Sequence, residues 1–164
     1  MRRAICPGSF DPITLGHLDI IRRSAALFDA VSVCVMVNGG KGGGMFSAEE
    51  RLEFVRLAVA ELPNVDCLRW DGLLADLAAA RGASALVKGV RGAGDFDWEY
   101  QMACINRGLG AGVETVLLPA SPEYVYFSST MAREMIRYGQ DLKKYLPPAV
   151  AERVSALRGR GSGA

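Results

Sequence analysis

The sequence predicts a doubly wound α/β fold, in which a parallel five-stranded sheet carries helices on both faces within a single domain. Short apolar runs of strand length alternate along the chain with longer segments of helical period, as in repeated βαβ units. Several runs, VSVCVMV at 31–37 among them, are apolar at nearly every position rather than at alternate ones, which indicates strands buried on both sides. A chain of 164 residues that is 50% hydrophobic can bury one ordinary core.

The individual elements follow from these local patterns. The predicted strands cover residues 4–6, 31–37, 65–68, 85–88 and 114–119. The predicted helices cover residues 18–28, 48–62, 73–81, 96–107, 129–138 and 148–157. Ser47 and Glu50 have the spacing of a capping box, which supports the start of the second helix. The glycine-rich residues 159–164 show no helical pattern, so we expect one domain at 1–158 and a disordered tail.

Charge and cysteine content exclude several classes of protein. Nineteen basic and eighteen acidic residues give a net charge of +1, which favours neither nucleic acid nor an acidic membrane surface as a partner. No signal-peptide core and no apolar run of membrane length is present, so we expect a cytoplasmic protein. The four cysteines are widely spaced without a C-x-x-C pair, which indicates free thiols rather than a zinc site or disulfides.

The stretch CPGSFDPITLGH, which follows the first predicted strand, contains the only histidine of the chain, His17. Ligands of an open parallel sheet bind beyond the carboxyl ends of its strands, and this stretch leads from such an end into a helix. A helix start offers backbone N–H groups and Ser9 adds a hydroxyl group, so we expect a bound phosphate here. Neither a Walker A pattern nor G-x-G-x-x-G occurs in the chain. Judged from the residues alone, His17 could also satisfy a local carbonyl group.

Three stretches together resemble a known family. GSFDPITLGH is similar to the opening motif of the nucleotidyltransferase superfamily, whose T-x-G-H signature is matched by residues 14–17, and FSSTMAR is similar to its second signature. With KGVRGAGDFDWEYQMACINR, the resemblance is closest to the bacterial phosphopantetheine adenylyltransferases and extends to about residue 157. It implies a Rossmann-like nucleotidyltransferase domain that joins ATP and 4′-phosphopantetheine, with Mg²⁺, to give dephospho-coenzyme A and pyrophosphate. It also implies a homohexamer, and it leaves feedback by coenzyme A open.

The resemblance implies a role for each residue at a matching position. His17 would stabilise the transition state, and Lys41 and Arg91 would be further catalytic residues. The residues that would bind ATP are Ser9, Phe10, His17, Gly89, Val90, Arg91, Glu99, Tyr124, Val125, Tyr126, Phe127, Ser128, Ser129 and Thr130. The residues that would bind phosphopantetheine are Ser9, Lys41, Leu74 and Lys88. No metal ligand is assigned.

Some of these positions depart from the family pattern or have a simpler interpretation. Lys88 stands where arginine is common in the family. Its ammonium group is a point charge, whereas the guanidinium group of arginine can donate two parallel hydrogen bonds to a phosphate. The five glycines around Lys41 predict a mobile loop, which lacks the usual proline and second lysine. Leu74 could be an ordinary core residue. Asp95 and Asp97 are interpreted as helix-start residues rather than metal ligands.

Two other functions are compatible with the same motifs. A sister nucleotidyltransferase, such as a nicotinamide mononucleotide adenylyltransferase or a cytidylyltransferase, would share T-x-G-H. A non-catalytic nucleotide-binding module would share the fold. The stretches KGVRGAGDF and FSSTMAR favour transfer to phosphopantetheine over the sister reactions. The complete set of His17, Lys41, Lys88 and Arg91 argues against a non-catalytic module, because a phosphate nucleophile needs positioning and charge rather than a base.

Overall fold

The structure is a computed structural model that describes residues 1–37, 44–109 and 112–161. Its strands are β1 (Arg3–Gly8), β2 (Ala30–Met36), β3 (Val65–Trp70), β4 (Ala85–Val90) and β5 (Glu114–Pro119). Its helices are α1 (Leu15–Leu27), α2 (Ala48–Ala58), α3 (Leu74–Arg81), α4 (Ala93–Gly108), α5 (Ser129–Arg137) and α6 (Pro148–Gly161). Two 3₁₀ helices, Pro122–Tyr124 and Leu142–Lys144, flank α5. No helix in the described ranges is long and apolar enough to cross a membrane.

The strands of this part of the chain form one parallel sheet in the order β3-β2-β1-β4-β5. The chain moves outward from β1 to β3 and then crosses back to β4, on the other side of β1. The strand order therefore reverses between β1 and β4, and the crevice at the carboxyl ends of these two strands is the expected ligand site. The predicted doubly wound α/β fold with a five-stranded parallel sheet in a single domain is confirmed.

Alternate residues of the central strands face two separate cores. Ala4 and Cys6 of β1 belong to the larger core, which also takes side chains from α1, α2, α5 and α6. Ile5, between them, belongs to the smaller core together with Leu77 and Ala78 of α3. Both faces of the sheet are covered, so successive residues of a strand are apolar, as in β2, where the one polar residue, Ser32, donates its hydroxyl proton to Asp66.

Several helix boundaries differ from the prediction by three or four residues. Helix α1 begins at Leu15 rather than at residue 18, because Thr14 caps it. Helix α2 ends at Ala58 rather than at residue 62, where the N–H of Leu62 bonds to Val59 in a turn. Helix α6 continues to Gly161, so residues 159–161 of the expected tail are helical, since a glycine costs a helix only about 1 kcal/mol. Residues 162–164 lie outside the described part of the chain.

The carboxyl end of β4 touches α1 at Gly89. A Cβ atom at Gly89 would lie 2.8 Å from Cγ1 of Ile20 and 3.2 Å from its Cδ1, which is closer than unstrained carbon atoms approach. Ile20 is buried and cannot turn away easily. A glycine at this position therefore allows α1 to lie directly over the crevice between β1 and β4.

We expect Gly89→Ala to lower the free energy of unfolding by about 1 to 3 kcal/mol, because the added methyl group forces Ile20 or the whole of α1 to move. Gly92→Ala is the matched control, since Gly92 has an extended backbone and a Cβ there would meet no atom within 4 Å. Urea denaturation of both variants measures the difference. Equal stability of the two variants would contradict the close contact.

Candidate active site

A cleft of about 360 Å³ lies in the crevice between the carboxyl ends of β1 and β4. It is formed by the turn after β1, the first turns of α1, the end of β4, the first turns of α4 and the segment that leads into α5. The lining residues that the sequence predicts to bind ATP are Ser9, Phe10, His17, Gly89, Arg91, Glu99, Tyr124, Phe127, Ser128, Ser129 and Thr130. Lys88 also lines the cleft. The fold thus brings stretches that are distant in the sequence to one site.

The side chain of His17 is held by the backbone at the start of α1. Its Nδ1 atom accepts a hydrogen bond from the N–H of Thr14 at 3.0 Å, and Oγ1 of Thr14 lies 3.0 Å from the same nitrogen. In return, Oγ1 of Thr14 accepts the N–H of His17 at 3.3 Å. The two residues form a capping box in which histidine replaces the usual glutamate or glutamine. The ring of Phe10 packs edge-on against the imidazole, with centroids 5.3 Å apart.

These contacts determine which ring nitrogen of His17 can donate. Because Nδ1 accepts a backbone N–H, the proton of the neutral ring is on Nε2, which is the atom available to a ligand in the cleft. Burial, followed by the positive charges of Arg91 and Lys88, lowers the pKa of His17 to about 4. At neutral pH the side chain is therefore an uncharged hydrogen-bond donor with a fixed tautomer.

The backbone N–H groups at the start of α1 are largely used within the protein. The N–H of Thr14 donates to the imidazole, and the N–H of His17 donates to Oγ1 of Thr14. The N–H of Leu15 donates to the carbonyl oxygen of Tyr145 at 2.9 Å. Of the N–H groups in the first turn, that of Gly16, which lines the cleft, has no partner among the described hydrogen bonds and can donate to a phosphate. The imidazole of His17 is a second donor that α1 presents to the cleft.

Lys88 extends from β4 into the site and forms an ion pair with α4. Its Nζ atom is 3.1 Å from Oε1 of Glu99, and the two side chains are only 26% and 15% exposed. Glu99, which the resemblance assigns to ATP, therefore has Lys88 as its direct partner in the protein. One ammonium proton suffices for this contact, so Lys88 retains donors for an anionic ligand.

Arg91 is held by Asp95, which lies in the first turn of α4. Nε and Nη2 of Arg91 donate to the two carboxylate oxygens of Asp95 at 2.9 and 3.4 Å, and the backbone N–H of Arg91 donates to Oδ2 at 3.2 Å. Asp95 thus fixes the guanidinium group at the mouth of the cleft. Within the described residues, neither Asp95 nor Asp97 belongs to a group of three side chains that could hold a metal ion.

The three hydroxyl groups at the start of α5 all have partners in the protein. Oγ of Ser128 accepts the N–H of residue 131 at 3.0 Å and caps the helix. Oγ of Ser129 donates to the carbonyl oxygen of Pro12 at 2.9 Å. Oγ1 of Thr130 accepts a hydrogen bond from an arginine of α5 at 3.2 Å. The protons of the Ser128 and Thr130 hydroxyls are not used by these bonds and are available to a ligand, whereas that of Ser129 is not.

A second cavity, of about 390 Å³, adjoins the first. The residues that line both are Pro7, Gly8, Ser9, Lys88 and Glu99. Apart from these, the second cavity is lined mainly by apolar side chains: Met36, Leu73, Leu74, Leu86, Trp98, Met102, Ala103, Ile105 and Leu109. Leu74 also packs against the smaller core. Its side chain therefore both lines this cavity and takes part in core packing, the two roles that the sequence allowed for it. The site therefore has a polar and an apolar lobe, with Lys88 at their junction.

Comparison with known proteins agrees with this geometry. The model of the cytidylyltransferase-like family matches residues 5–135. A phosphopantetheine adenylyltransferase from Corynebacterium diphtheriae is 50% identical over 151 residues, which cover 92% of this chain and 94% of the relative. Another, from Streptomyces coelicolor, is 48% identical over 161 residues, which cover 98% of this chain and 100% of the relative. The chain belongs to the phosphopantetheine adenylyltransferase family.

As a member of this family, the protein is a nucleotidyltransferase enzyme. A solved structure from Vibrio parahaemolyticus, described as that of a nicotinate-nucleotide adenylyltransferase, has a TM-score of 0.68 and covers 93% of this chain and 91% of its own. Its sequence identity is 22%, so this likeness concerns the fold alone. It supports the doubly wound α/β architecture.

Some residues that the family resemblance assigns to the site do not line the nucleotide cleft. Val90, Val125 and Tyr126 are described by the structure but are not among its lining residues, and the side chain of Tyr126 lies in solvent with 83% exposure. Lys41 lies outside the described residues, so its role stays a prediction.

Asp11 and Arg133 join three parts of the adenylyltransferase site, although the sequence analysis assigned them no role. The buried carboxylate of Asp11 accepts the N–H groups of Met45 and Phe46 at 2.8 and 2.9 Å. Arg133 lines the cleft, donates to the carbonyl oxygen of Asp11 at 2.8 Å and lies 3.7 Å from its carboxylate. An acidic residue within the apolar stretch SFDPI was the available signal, because a buried carboxylate requires partners.

We expect the His17 ring of this adenylyltransferase to remain neutral, with its proton on Nε2, down to a pH near 4. Because His17 is the only histidine, its ring gives a single set of signals in a two-dimensional ¹⁵N–¹H spectrum, and both tautomer and titration midpoint can be measured. A midpoint near 6.5, or a proton on Nδ1, would contradict the capping-box geometry.

Two further measurements serve as controls for this titration. Lys88→Met or Arg91→Met should raise the midpoint, because each removes a positive charge that opposes protonation of the ring. Stability should fall as the pH drops from about 6.5 to about 4, because across this window the unfolded chain binds a proton at His17 that the folded chain excludes. The loss should be complete below the folded-state pKa and smaller in His17→Asn.

Proposed function

We propose that the protein transfers the adenylyl group of ATP to 4′-phosphopantetheine, giving dephospho-coenzyme A and pyrophosphate in coenzyme A synthesis. Relatives of that name share about half of its sequence over nearly their whole length. The observation that carries the proposal is the neutral His17 donor, fixed by Thr14 in a cleft that Lys88 and Arg91 also line.

The proposed chemistry requires alignment and charge stabilisation rather than a base. A phosphate oxygen of phosphopantetheine attacks the α-phosphorus of ATP, and the new P–O bond forms as the bond between the α-phosphorus and the bridging oxygen breaks. Pyrophosphate leaves with that electron pair. The attacking phosphate is already ionised at neutral pH, so no side chain needs to remove a proton. Negative charge on the α-phosphate oxygens is stabilised by Nε2–H of His17 and by the two cations.

The low pKa of His17 preserves the hydrogen-bond geometry that this scheme requires. A second proton on the ring would be placed on Nδ1, where it would face the N–H of Thr14 and break the helix cap. Keeping the ring neutral therefore keeps Nε2–H in one orientation. Lys88 and Arg91 supply the positive charge, so the imidazole does not have to be protonated. The oriented hydrogen-bond donor and the positive charge are therefore provided by different side chains.

Magnesium enters the proposal as part of the nucleotide substrate. The described residues contain no group of three histidine, cysteine, aspartate or glutamate side chains that could form a protein cage. Mg²⁺ usually keeps several waters and binds through substrate phosphates with at most one or two carboxylates. The residues present fit Mg²⁺ that is held mainly by ATP, where the ion would neutralise charge on the leaving pyrophosphate.

The apolar lobe suits the acceptor substrate. The pantetheine arm is long and largely apolar between its amide groups, and the second cavity offers apolar side chains such as Leu74 and Met102. The phosphate of the acceptor would then lie at the junction of the lobes, near Lys88 and Ser9, which line both. Coenzyme A contains both an adenine nucleotide and a pantetheine arm, so it would compete for both lobes, which supports feedback inhibition. The reaction and its ATP requirement favour a cytoplasmic location.

We also propose that the protein forms homohexamers. Two aromatic side chains of helix α4, Phe96 and Tyr100, are 49% and 58% exposed and stack on each other with ring centroids 6.2 Å apart. They lie on the side of the helix opposite to Trp98 and Ile105, which line the cavity proposed for the acceptor. Asn106 is the only buried residue of this helix. Exposed aromatic side chains of this kind mark an interaction site, and closed symmetric assembly of identical chains is the commonest way to cover one.

Light scattering during gel filtration should therefore give a mass of about six times 17.6 kDa. Tyr100→Glu should reduce this mass, because a charge cannot be buried without a partner in an apolar contact. Leu27→Glu, at a residue of α1 that is 50% exposed, is the control and should leave the assembly intact. A wild-type monomer at micromolar concentration would refute the assembly, and an equal effect of both variants would refute the role of α4.

The proposed reaction is tested by pyrophosphate release from Mg·ATP and 4′-phosphopantetheine. We expect turnover with this pair, and little with CTP as donor or nicotinamide mononucleotide as acceptor. His17→Ala should lower kcat by about 10² to 10³ while ATP binding is retained, because the donor acts mainly on charge that develops in the transition state.

Thr14→Ser is the matched control, since it retains the hydroxyl of the capping box, and it should keep most of the activity. Turnover with CTP or with nicotinamide mononucleotide, but not with phosphopantetheine, would assign the chain to one of the sister reactions. Nucleotide binding without any turnover would leave the non-catalytic module as the better description.

A further inference from the structure

Besides its charged residues, the nucleotide cleft has apolar and aromatic lining residues on α1 and on the connection after β5. We call three of these, Ile20, Ala120 and Tyr124, the apolar end of the cleft, and the cations Lys88 and Arg91 together with His17 its charged end. The phosphates of a nucleotide bind at the charged end, so its base is left for the apolar one. Ala120 and Tyr124 belong to the connection between β5 and α5, which lies outside the sheet. The position of the apolar end, where the base would bind, therefore depends on the contacts that hold this connection against α1.

Three polar side chains, Asp19, Arg23 and Ser121, provide that link, and we name them the α1 brace. Oγ of Ser121 donates to Oδ2 of Asp19 at 2.9 Å. Nη1 of Arg23 donates to the same oxygen at 3.2 Å and to the carbonyl oxygen of Pro119 at 2.7 Å. The carboxylate of Asp19 is only 18% exposed, so its bonds to the arginine and the hydroxyl are formed largely away from water.

The brace acts at the point where the chain leaves the sheet. The last ladder bond is donated by the N–H of Ala120 to the carbonyl oxygen of Val90 at 2.8 Å. Ser121 follows directly, and its carbonyl oxygen accepts the N–H of Tyr124 at 2.8 Å. A displacement of Ser121 would therefore move Tyr124. At the other side of the brace, Asp19 lies two residues after His17 on the same helix.

We propose that the α1 brace positions the nucleotide base. It holds the segment 120–124 at a set distance from α1, so that a nucleotide whose base lies at the apolar end has its α-phosphate at His17. Asp19, Arg23 and Ser121 do not line the cleft, and they act through Ala120 and Tyr124 as positioning residues. The proposal rests on the proposed adenylyl transfer for the identity of the nucleotide.

The test compares Ser121→Ala and Arg23→Met with wild type, with ATP and phosphopantetheine varied in turn. We expect each variant to raise the KM for ATP by about threefold to tenfold, which corresponds to the net contribution of one ordinary hydrogen bond, because the brace acts on the base only through the connection. The KM for phosphopantetheine and the kcat at saturating ATP should change less than about twofold. Ser121→Thr keeps the hydroxyl group and should restore the wild-type KM for ATP.

Arg22→Met is the matched control, because Arg22 is the exposed neighbour of Arg23 on α1 and takes no part in the brace. It should leave both KM values unchanged. A KM for ATP that is unaffected in both brace variants would overturn the proposal. Equal changes toward both substrates, together with a lower Tm, would overturn it too, since they indicate a merely structural role.

A binding measurement separates failure of the brace from failure of the proposed reaction. Titration calorimetry with ATP alone should show the same threefold to tenfold weakening in Ser121→Ala and none in Arg22→Met. If wild type shows no turnover of phosphopantetheine, the proposed reaction fails, and the calorimetry still decides whether the brace sets nucleotide affinity. Unchanged ATP affinity in Ser121→Ala would refute the brace even in an active enzyme.

Discussion

Nδ1 of His17 accepts the backbone N–H of Thr14, and through this bond the start of α1 determines how the imidazole is presented to the cleft. The bond fixes the tautomer, because a nitrogen that accepts cannot also carry the ring proton. It also links helix capping to catalysis, since protonation of the ring would break the cap. The capping box therefore gives the protein one donor of known direction where most of the neighbouring backbone N–H groups are already used.

Within the described residues, the cations that line the cleft are each held by a carboxylate from the protein. Lys88 is paired with Glu99, Arg91 with Asp95, and Arg133 with Asp11. Such pairing keeps long, flexible side chains in position before the ligand arrives and limits the cost of burying their charge.

Helix α1 is the element that organises the two ends of the cleft. Its first turn carries His17, its second turn contacts β4 at Gly89 through Ile20, and the same face holds the connection after β5 through Asp19. The close approach at Gly89 needs a residue without a side chain, since any Cβ would collide with Ile20. The position of one helix thus relates the phosphate end of the cleft to its base end.

Local sequence determined the order and type of the elements, because hydrogen bonds and side-chain contacts within three or four residues decide helix and strand, whereas most candidate site residues followed from the resemblance to the family motifs. His17 and the start of α5 were identified in this way. The three hydroxyl groups at the start of α5 show what local sequence does not determine. The sequence indicates that they lie together, but only the folded chain shows that the hydroxyl of Ser129 donates to the carbonyl oxygen of Pro12. The pairing of Lys88 with Glu99 and the roles of Asp11 and Asp19 were likewise decided by tertiary structure. The partners of Asp11 and Asp19 lie 122 and 102 residues away, and no local pattern encodes a contact that exists only once the crossover from β3 to β4 brings those segments together.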